Sequence, residues 1–232
     1  MTGSVYDRVP MTPAIAALPR WGNMPVPYIT KFLADDQDPQ GPNPIAPGGL
    51  AIDCTCEFGV GRPVFGKQCV RRQRSAMIHR RCNVCGKRIT GPAVFTGVAG
   101  LEGDGDVIVY SIEAPTCPPC LAYSALTCPK LATEAGRCRL VLLSGDYPIY
   151  DRWATGDHGA DWTLAAHGQP RREVLPGRWE GALDFHAAVM QLDARKITTL
   201  AERMATAAPQ PYRELWADPG LRAAPDPQPP TR

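Results

Sequence analysis

The stretch RCNVCGK at residues 81–87, followed after a β-rich interval by TCPPC at residues 116–120, decides the fold predicted for this chain. Each stretch contains a Cys-x-x-Cys pair, and 31 residues separate the two pairs. In the first pair the chain must reverse tightly so that both sulfurs point at one ion, and Gly86 supplies the backbone freedom that this turn needs. In the second pair both thiols fall in the first turn of a predicted helix, whose dipole favours the thiolate form.

Four thiolates satisfy a tetrahedral zinc ion and leave no open coordination position, which is typical of a structural site. A tight reversal, a hairpin and a helix N-terminus, in that order, make up a treble clef. The sequence therefore predicts Zn²⁺ as the cofactor, bound by Cys82, Cys85, Cys117 and Cys120. Two alternatives stay open: an iron–sulfur cluster on the same cysteines, and a redox-active dithiol in TCPPC, which would need a preceding βαβ unit.

The interval between the two pairs and the chain after them contain β-rich runs. Residues 92–98 (PAVFTGV) and residues 106–112 (DVIVYSI) are predicted to pair as a hairpin across a glycine-rich loop. Residues 139–143 (RLVLL) predict a further strand. Together with the predicted helices, these strands indicate an α+β fold: a treble-clef zinc module with a flanking helix, a small β element and a long C-terminal helix.

Three helices are predicted. The first covers residues 69–82, which lack Pro and Gly, with its apolar side chains facing inward and its arginines outward. The second covers residues 117–131, with Thr116 as N-cap. The third covers residues 182–207 and packs either on its own domain or in a dimeric coiled coil, because its apolar residues recur at heptad spacing. Those residues are Leu183, Ala187, Met190, Ala194, Ile197, Ala201 and Met204.

Proline accounts for 25 of 232 residues, and much of it lies near the two ends, where it predicts extended, weakly packed chain. We therefore expect an extended N-terminal arm (1–49), a zinc-binding core (50–138), a β element with the long helix (139–207) and a disordered tail (208–232). The arm is expected either to be poorly ordered or to lie on the core. The side chains that would contact the core are Trp21, Tyr28, Ile29 and Phe32.

The formal net charge is only +2, but basic residues are concentrated around the first cysteine pair, and residues 58–101 contain no Asp or Glu. A basic segment beside a metal site indicates an anionic partner, with nucleic acid as the first candidate. The alternative is a solvated basic helix face. The predicted nucleic-acid-binding residues are Arg71, Arg72, Arg74, Arg80, Arg81, Lys87 and Arg88.

Five of the nine cysteines lie outside the two pairs. A candidate second metal site consists of Cys54, Cys56 and Cys69. His79 or Cys138 would complete its ligands, and the alternative is that these loop cysteines simply pack. Cys128 is predicted to be an inert buried thiol.

No segment approaches the roughly 18 consecutive apolar residues that a membrane span needs. The first twenty residues lack the order of a secretory signal, because Pro10 and Pro13 interrupt their apolar stretch. We therefore expect a cytoplasmic protein, or one in the host cytoplasm if a phage encodes it. In that reducing compartment metal binding explains nine cysteines better than disulfides do.

Residues 59–132 resemble a family of small treble-clef zinc proteins encoded by actinobacteria and their phages. The resemblance rests on the CNVCG reversal and on CLAYSALTCPKL at residues 120–131, which is similar to the family's CA-x-YAA-x-x-CPFL helix. The family has a histidine as third ligand where this chain has Cys117, and both residue types bind zinc. The resemblance implies a zinc site and a phage or actinobacterial origin, and it implies no activity.

These observations favour a binding role, so the chain is not expected to be an enzyme. The first hypothesis is a zinc-stabilised protein that contacts nucleic acid in a regulatory or accessory role. The second is a protein–protein adaptor or structural component, in which the helix over residues 182–207 contacts a partner or a second copy. A hydrolytic metal site is a third alternative, and its residues would be Asp151, Asp157, His158, Asp161 and His167.

Overall fold

Short helices and small antiparallel sheets make up the structure, which confirms the α+β class. The computed structural model describes residues 5–33, 40–45, 49–96, 98–103, 106–111, 113–144, 149–154, 160–164, 186–191 and 197–219. None of the helices in these ranges is long and apolar enough to cross a membrane.

The helices lie near both ends and in the middle of the described chain. They are α1 (Val5–Arg8), α2 (Pro13–Ala16), α3 (Val70–Ile78), α4 (Pro118–Thr127), α5 (Pro129–Glu134), α6 (Leu200–Thr206) and α7 (Gln210–Ala217). The single helix predicted over residues 117–131 is therefore two helices, α4 and α5. It breaks there because Pro129 disfavours the helical conformation of the residue before it, and Cys128 has an extended backbone.

The strands pair in small sheets, and every pairing in the described residues is antiparallel. The strands are β1 (Arg20–Trp21), β2 (Met24–Pro25), β3 (Thr30–Leu33), β4 (Gln40–Ile45), β5 (Gly49–Cys54), β6 (Arg62–Gln68), β7 (Ala93–Thr96), β8 (Ala99–Gly103), β9 (Asp106–Ser111), β10 (Arg139–Leu143), β11 (Ile149–Ala154), β12 (Ala160–Leu164), β13 (His186–Gln191) and β14 (Ile197–Thr199). The two larger sheets have the orders β12-β11-β13-β9-β8 and β14-β10-β7, and three two-stranded sheets pair β1 with β2, β3 with β6 and β4 with β5.

Helix α4 lies at the centre of the main core and is buried along most of its length. Strand β7 and helices α1, α6 and α7 pack against it. Phe95, Leu140 and Leu200 are fully buried in this core. Three of the four predicted metal ligands, Cys82, Cys85 and Cys120, are buried in the same core, so the candidate site is part of the hydrophobic interior.

The two ends of the described chain pack together on α4. Tyr6 and Ile15 from the N-terminal part and Tyr212 and Trp216 from α7 are buried in the main core. The Tyr212 hydroxyl donates to the Pro10 carbonyl at 2.9 Å. The extended arm predicted over residues 1–49 is therefore wrong for α1 and α2, which are short helices packed on the core. The disordered tail predicted from residue 208 is wrong for α7, whose aromatic side chains bury apolar area.

The long C-terminal helix predicted over residues 182–207 is wrong. The structure has strand β13, strand β14 and helix α6 in its place, so no continuous heptad seam exists there. Ile197, Thr198 and Thr199 are β-branched and favour a strand. The Thr199 side chain then caps α6 together with Glu202 in a capping box, which fixes the helix start at residue 200.

The hairpin predicted between residues 92–98 and residues 106–112 is also wrong. Strand β7 pairs with β10, with Phe95 opposite Val141. Strand β9 instead pairs with β8, and only the dipeptide Asp104-Gly105 separates these two strands in sequence. An Asp-Gly dipeptide is a strong hairpin signal, and this signal explains the observed pairing. The strand predicted over residues 139–143 is confirmed as β10.

Helix α3 confirms the predicted flanking helix but not the direction of all its arginines. Val70 and Met77 are buried, as predicted. Arg72 is also buried, with 7% of its surface exposed, and therefore faces inward. Its guanidinium donates to the Thr30 carbonyl at 2.7 Å, a partner on β3 that the local sequence of the helix does not reveal.

Candidate metal centre

Four sulfur atoms converge where the chain reverses beside the start of α4. The Sγ atoms of Cys82, Cys85, Cys117 and Cys120 all lie within 4.8 Å of one another. Tetrahedral coordination with Zn–S bonds of about 2.3 Å would put the sulfurs roughly 3.8 Å apart, so the spacing fits one ion. We call this group the four-cysteine cluster. It is positioned to hold a metal ion, and its cysteines are not joined as disulfides.

The first cysteine pair lies on a tight turn closed by two hydrogen bonds. The Gly86 amide donates to the Cys82 carbonyl and the Cys82 amide donates to the Lys87 carbonyl, both at 2.8 Å. Gly86 has a φ of +70°. A Cβ atom at this position would lie 2.9 Å from the Tyr28 ring. The turn therefore needs glycine both for its backbone conformation and for the close approach of Tyr28.

The second cysteine pair lies at the start of α4. Cys117 is the N-cap, so the prediction of Thr116 is wrong by one residue. Pro118 and Pro119 occupy the first turn, where a missing N–H costs little. The Cys117 amide donates to Cys82 Sγ at 3.4 Å, so a backbone dipole also points at the cluster. This geometry confirms the predicted placement of TCPPC at a helix N-terminus.

Hydrogen bonds between the two halves fix the distance between the cysteine pairs. The Asn83 amide donates to the Pro115 carbonyl at 2.8 Å. The Thr116 hydroxyl donates to Asn83 Oδ1, also at 2.8 Å. Thr116 further exchanges two backbone hydrogen bonds with Val94, at 2.8 and 2.9 Å. Residues adjacent to each pair thus clamp the two halves together.

Hydrogen bonds among the four thiols favour ionised sulfur at two positions. Hydrogen bonds from Cys117, Cys120 and Cys82 hold the pKa of Cys85 far below its usual range. The pKa of Cys117 is also lowered, chiefly by its hydrogen bond with Cys120. The pKa values of Cys82 and Cys120 are raised, chiefly by their hydrogen bonds with Cys117. A bound cation would displace the remaining protons, so metal binding is coupled to proton release.

A second group of sulfurs lies at the start of α3. The Sγ atoms of Cys54, at the end of β5, of Cys56, and of Cys69, the N-cap of α3, lie within 4.8 Å of one another. We call this group the three-cysteine cluster, and it too is positioned to hold a metal ion. A hydrogen bond from Cys69 lowers the pKa of Cys56 to about 4. The same bond raises the pKa of Cys69.

Neither residue predicted to complete this second site lies in it. His79 is the C-cap of α3 and is exposed. His79 is ten residues after the N-cap Cys69, and the helical rise places it about 15 Å away along α3. Cys138 packs against the main core instead. Among the described residues, the metal-ligand group at this place contains three cysteines only.

The segment before β3 contacts both clusters through its backbone, whereas the sequence predicts contact with the core through the side chains of Tyr28 and Ile29. The Tyr28 and Ile29 amides donate to the carbonyls of Val84 and Asn83, at 2.8 and 3.0 Å. The Ile29 carbonyl accepts from the Cys69 amide at 2.8 Å. The X-Pro pairs predict extended backbone here, but Tyr28 and Ile29 lie in a turn that the Thr30 amide closes on the Pro27 carbonyl at 3.0 Å. The turn leaves the Tyr28 and Ile29 amides free to pair with the cysteine turn.

The predicted nucleic-acid-binding residues divide into three groups. Arg71, Arg81, Lys87 and Arg88 are exposed. Arg74 and Arg80 are half-buried, and Arg72 is buried with its guanidinium directed at Thr30 and Cys56. Arg81 and Arg88 lie directly opposite each other in an antiparallel bridge, with Lys87 beside them on the cysteine turn. The exposed charges therefore concentrate at the four-cysteine cluster.

The residues of the hydrolytic alternative are described only in part. Asp151 lies on β11 and Asp161 on the adjacent strand β12, in register with Thr163 and Trp153 respectively. Asp157, His158 and His167 lie outside the described residues.

No protein-family model matches the chain, and neither a curated protein nor a solved structure shows significant similarity to it.

Proposed function

We propose that this chain is a zinc-stabilised binding protein that contacts nucleic acid through the basic residues around its four-cysteine cluster. The observation that carries this proposal is the placement of Arg81 opposite Arg88, with Lys87 beside them. Like charges directly opposite each other destabilise a strand pair. An arrangement that costs stability in the free protein suggests an anionic ligand that offsets the repulsion.

Zinc is the proposed ion because four thiolates at tetrahedral spacing satisfy Zn²⁺ completely. Sulfurs that all lie within 4.8 Å of one another suit a single ion better than an iron–sulfur cluster, whose cysteines bind separate iron atoms. A redox role for Cys117 and Cys120 is disfavoured, because two further sulfurs lie within 4.8 Å of theirs. Such a site has no open position, so its role is to stabilise the fold.

A treble clef remains our proposal for this module. The reversal at the first cysteine pair, the bridge between Val94 and Thr116 and the start of α4 follow one another in the required order. The β8–β9 hairpin lies between the two bridging residues as an insertion. We also propose that the chain is related to the actinobacterial and phage family it resembles. Because that family has histidine at the third ligand position, Cys117→His should retain the metal.

The nucleic-acid proposal is tested by the salt dependence of binding. Each phosphate contact contributes about 0.9 to the slope of log affinity against log salt for duplex DNA. The double variant Lys87→Gln/Arg88→Gln should lower this slope by about 2 if each residue makes one contact. Arg137 and Arg139 are exposed elsewhere, so Arg137→Gln/Arg139→Gln is a control with the same change in charge. A wild-type affinity that does not vary with salt would contradict the proposal.

A protein–protein adaptor role is the second candidate. Because the helix predicted over residues 182–207 is not formed, this role rests on exposed apolar side chains instead. Val60 and Phe65 are exposed by 49% and 45%, and they are the large apolar side chains that are exposed in the described residues. Phe65→Ser should weaken self-association or partner binding if these side chains form an interface. Analytical ultracentrifugation of wild type and variant tests self-association, and an unchanged monomer would leave no support for a dimer.

A further inference from the structure

The three-cysteine cluster has a buried cation beside it. Arg72 donates to Cys56 Sγ at 3.0 Å and to the Cys56 carbonyl at 3.1 Å, and it also donates to Thr30. Its guanidinium carbon lies 5.8 and 5.4 Å from the ring centroids of Phe32 and Phe58. Hydrogen bonds and aromatic rings therefore fix this guanidinium against the sulfurs.

A buried guanidinium needs a negative charge nearby, since an unpaired buried charge is strongly destabilising. Within the part of the chain that the structure describes, no carboxylate forms an ion pair with Arg72. Among the described groups that contact the Arg72 guanidinium, the one that can carry negative charge is the sulfur of Cys56. Arg72 is thus positioned to balance the negative charge of a thiolate at Cys56.

We propose that the three-cysteine cluster is a second metal site of a different kind: Cys54, Cys56 and Cys69 bind a divalent ion such as Zn²⁺, and an exchangeable neutral ligand such as water occupies the fourth position. Three thiolates and a divalent ion carry one net negative charge, which Arg72 balances. A monovalent ion would leave one charge uncompensated, so the electrostatics select a divalent one. Arg72 is a positioning residue here, because it acts on the metal through Cys56.

The burial of the three sulfurs indicates where the exchangeable ligand enters. Cys54 and Cys69 are fully buried, whereas Cys56 is half-buried. An external ligand therefore reaches the ion from the side of Cys56. Three protein ligands and one open position are the arrangement of zinc sites that bind small molecules, in contrast to closed structural sites.

Cobalt substitution tests the proposal on the full chain. Metal analysis should find about two divalent ions per chain in wild type and about one in Cys56→Ser. The sulfur-to-cobalt charge-transfer band should be weaker for the ion lost in Cys56→Ser than for the other, in the proportion of three sulfur ligands to four. Added imidazole should shift the absorption of cobalt in the three-cysteine cluster and leave that of cobalt in the four-cysteine cluster unchanged. A spectrum that imidazole does not change, or a single ion in wild type, would overturn the proposal.

Variants of Arg72 separate charge balance from packing. Arg72→Met should weaken the affinity of the three-cysteine cluster for its ion by about 10- to 100-fold. Arg72→Lys keeps the charge and should weaken this affinity by less. Arg74→Met on the same helix is the matched control and should leave both ions in place. Equal affinities in Arg72→Met and wild type would exclude a role for this guanidinium.

Alkylation of wild type gives a measurement that does not depend on how the variants fold. A mild chelator should make Cys54, Cys56 and Cys69 reactive before the cysteines of the four-cysteine cluster, with the half-buried Cys128 as internal standard. Equal labelling of the three cysteines with and without metal would show a metal-free ion pair between Cys56 and Arg72 and overturn the proposal. These outcomes are independent of nucleic-acid binding, so the two proposals fail separately.

Discussion

The two cysteine clusters start from the same local structure and differ in what surrounds it. In each, a cysteine is the N-cap of a helix, Cys117 for α4 and Cys69 for α3. In each, the backbone of the segment before β3 forms a hydrogen bond near the sulfurs. The four-cysteine cluster lies in the main core, whereas the three-cysteine cluster packs with Val70 in a small apolar group of its own.

This difference shows how one kind of ligand produces two kinds of site. Four sulfurs inside a core can close the coordination of an ion, and that core would then depend on the ion for its stability. Three sulfurs outside the main core leave one position of an ion open, and the Arg72 guanidinium lies beside Cys56 as a counter-charge. We therefore expect the number of sulfurs and the apolar area around them to decide whether an ion is needed for folding.

The largest expected effect is that of Cys85→Ser. A structural zinc site contributes on the order of 10 kcal/mol of apparent binding free energy, as much as the whole stability of a typical domain. We expect the variant to lose cooperative thermal unfolding, measured by circular dichroism. Cys128→Ser, outside the cluster, should unfold like wild type. If Cys85→Ser folds normally and Cys56→Ser does not, the comparison between the clusters is reversed.

The next effect is that of Gly86→Ala. The positive φ and the contact with the Tyr28 ring should together lower the free energy of unfolding by about 2–4 kcal/mol in denaturant titrations. Gly66, just before the three-cysteine cluster, has a φ of +84° and nothing within 4 Å of an added Cβ. Gly66→Ala should cost only about 1–2 kcal/mol. Equal costs would mean that Tyr28 does not pack tightly on the turn.

A smaller effect is expected for Thr116→Val, which removes the hydrogen bond to Asn83. The lost bond should lower the free energy of unfolding by about 1–2 kcal/mol, because the half-buried Asn83 Oδ1 no longer accepts from the Thr116 hydroxyl. Thr133→Val, whose hydroxyl bonds to carbonyls on the surface of α5, should change it by less than about 0.5 kcal/mol. A Thr116→Val protein as stable as wild type would show that the clamp does not strengthen the four-cysteine cluster.

The smallest effect is that of Glu202→Gln in the capping box of α6, which contacts neither cluster and so measures what an ordinary cap contributes. The Thr199 amide donates to the Glu202 carboxylate at 2.7 Å and lowers its pKa. Because the pKa is lower in the folded state, the stabilisation is complete above the ordinary pKa and is lost as the pH falls through the lowered value. The melting temperature of the variant should be slightly lower at neutral pH, and the difference should shrink on acidification. A carbon-13 titration that gives Glu202 an ordinary pKa would contradict this prediction.

The four-cysteine cluster could be predicted from the sequence because its determinants are local. A Cys-x-x-Cys pair with a following glycine specifies a turn, and TCPPC before an apolar run specifies a helix start. Helix α3 and strand β10 followed from the same local reasoning. In each case the residues that determine the structure are neighbours in the chain.

The remaining features depend on partners far away in sequence. Strand β7 pairs with β10 across more than forty residues, and nothing in PAVFTGV specifies that partner. Heptad spacing predicted a long helix because Met190, Ile197 and Met204 recur at seven residues, although the capping box at Thr199 indicated a helix start there. Arg72 faces inward because Thr30 and Cys56 accept its hydrogen bonds, and neither residue lies near it in the sequence.

The hydrogen bonds of Tyr28, Ile29 and Thr30 also have a consequence for how the chain is synthesised. A ribosome produces this segment before Cys69, Arg72, Asn83 and Val84, which hold it in the folded protein. Translation from the N-terminus therefore leaves its amide and carbonyl groups hydrated until the later residues emerge. A nascent chain that stops before Cys120 retains the segment but lacks a complete four-sulfur site, so cellular proteases should attack this part of truncated products first.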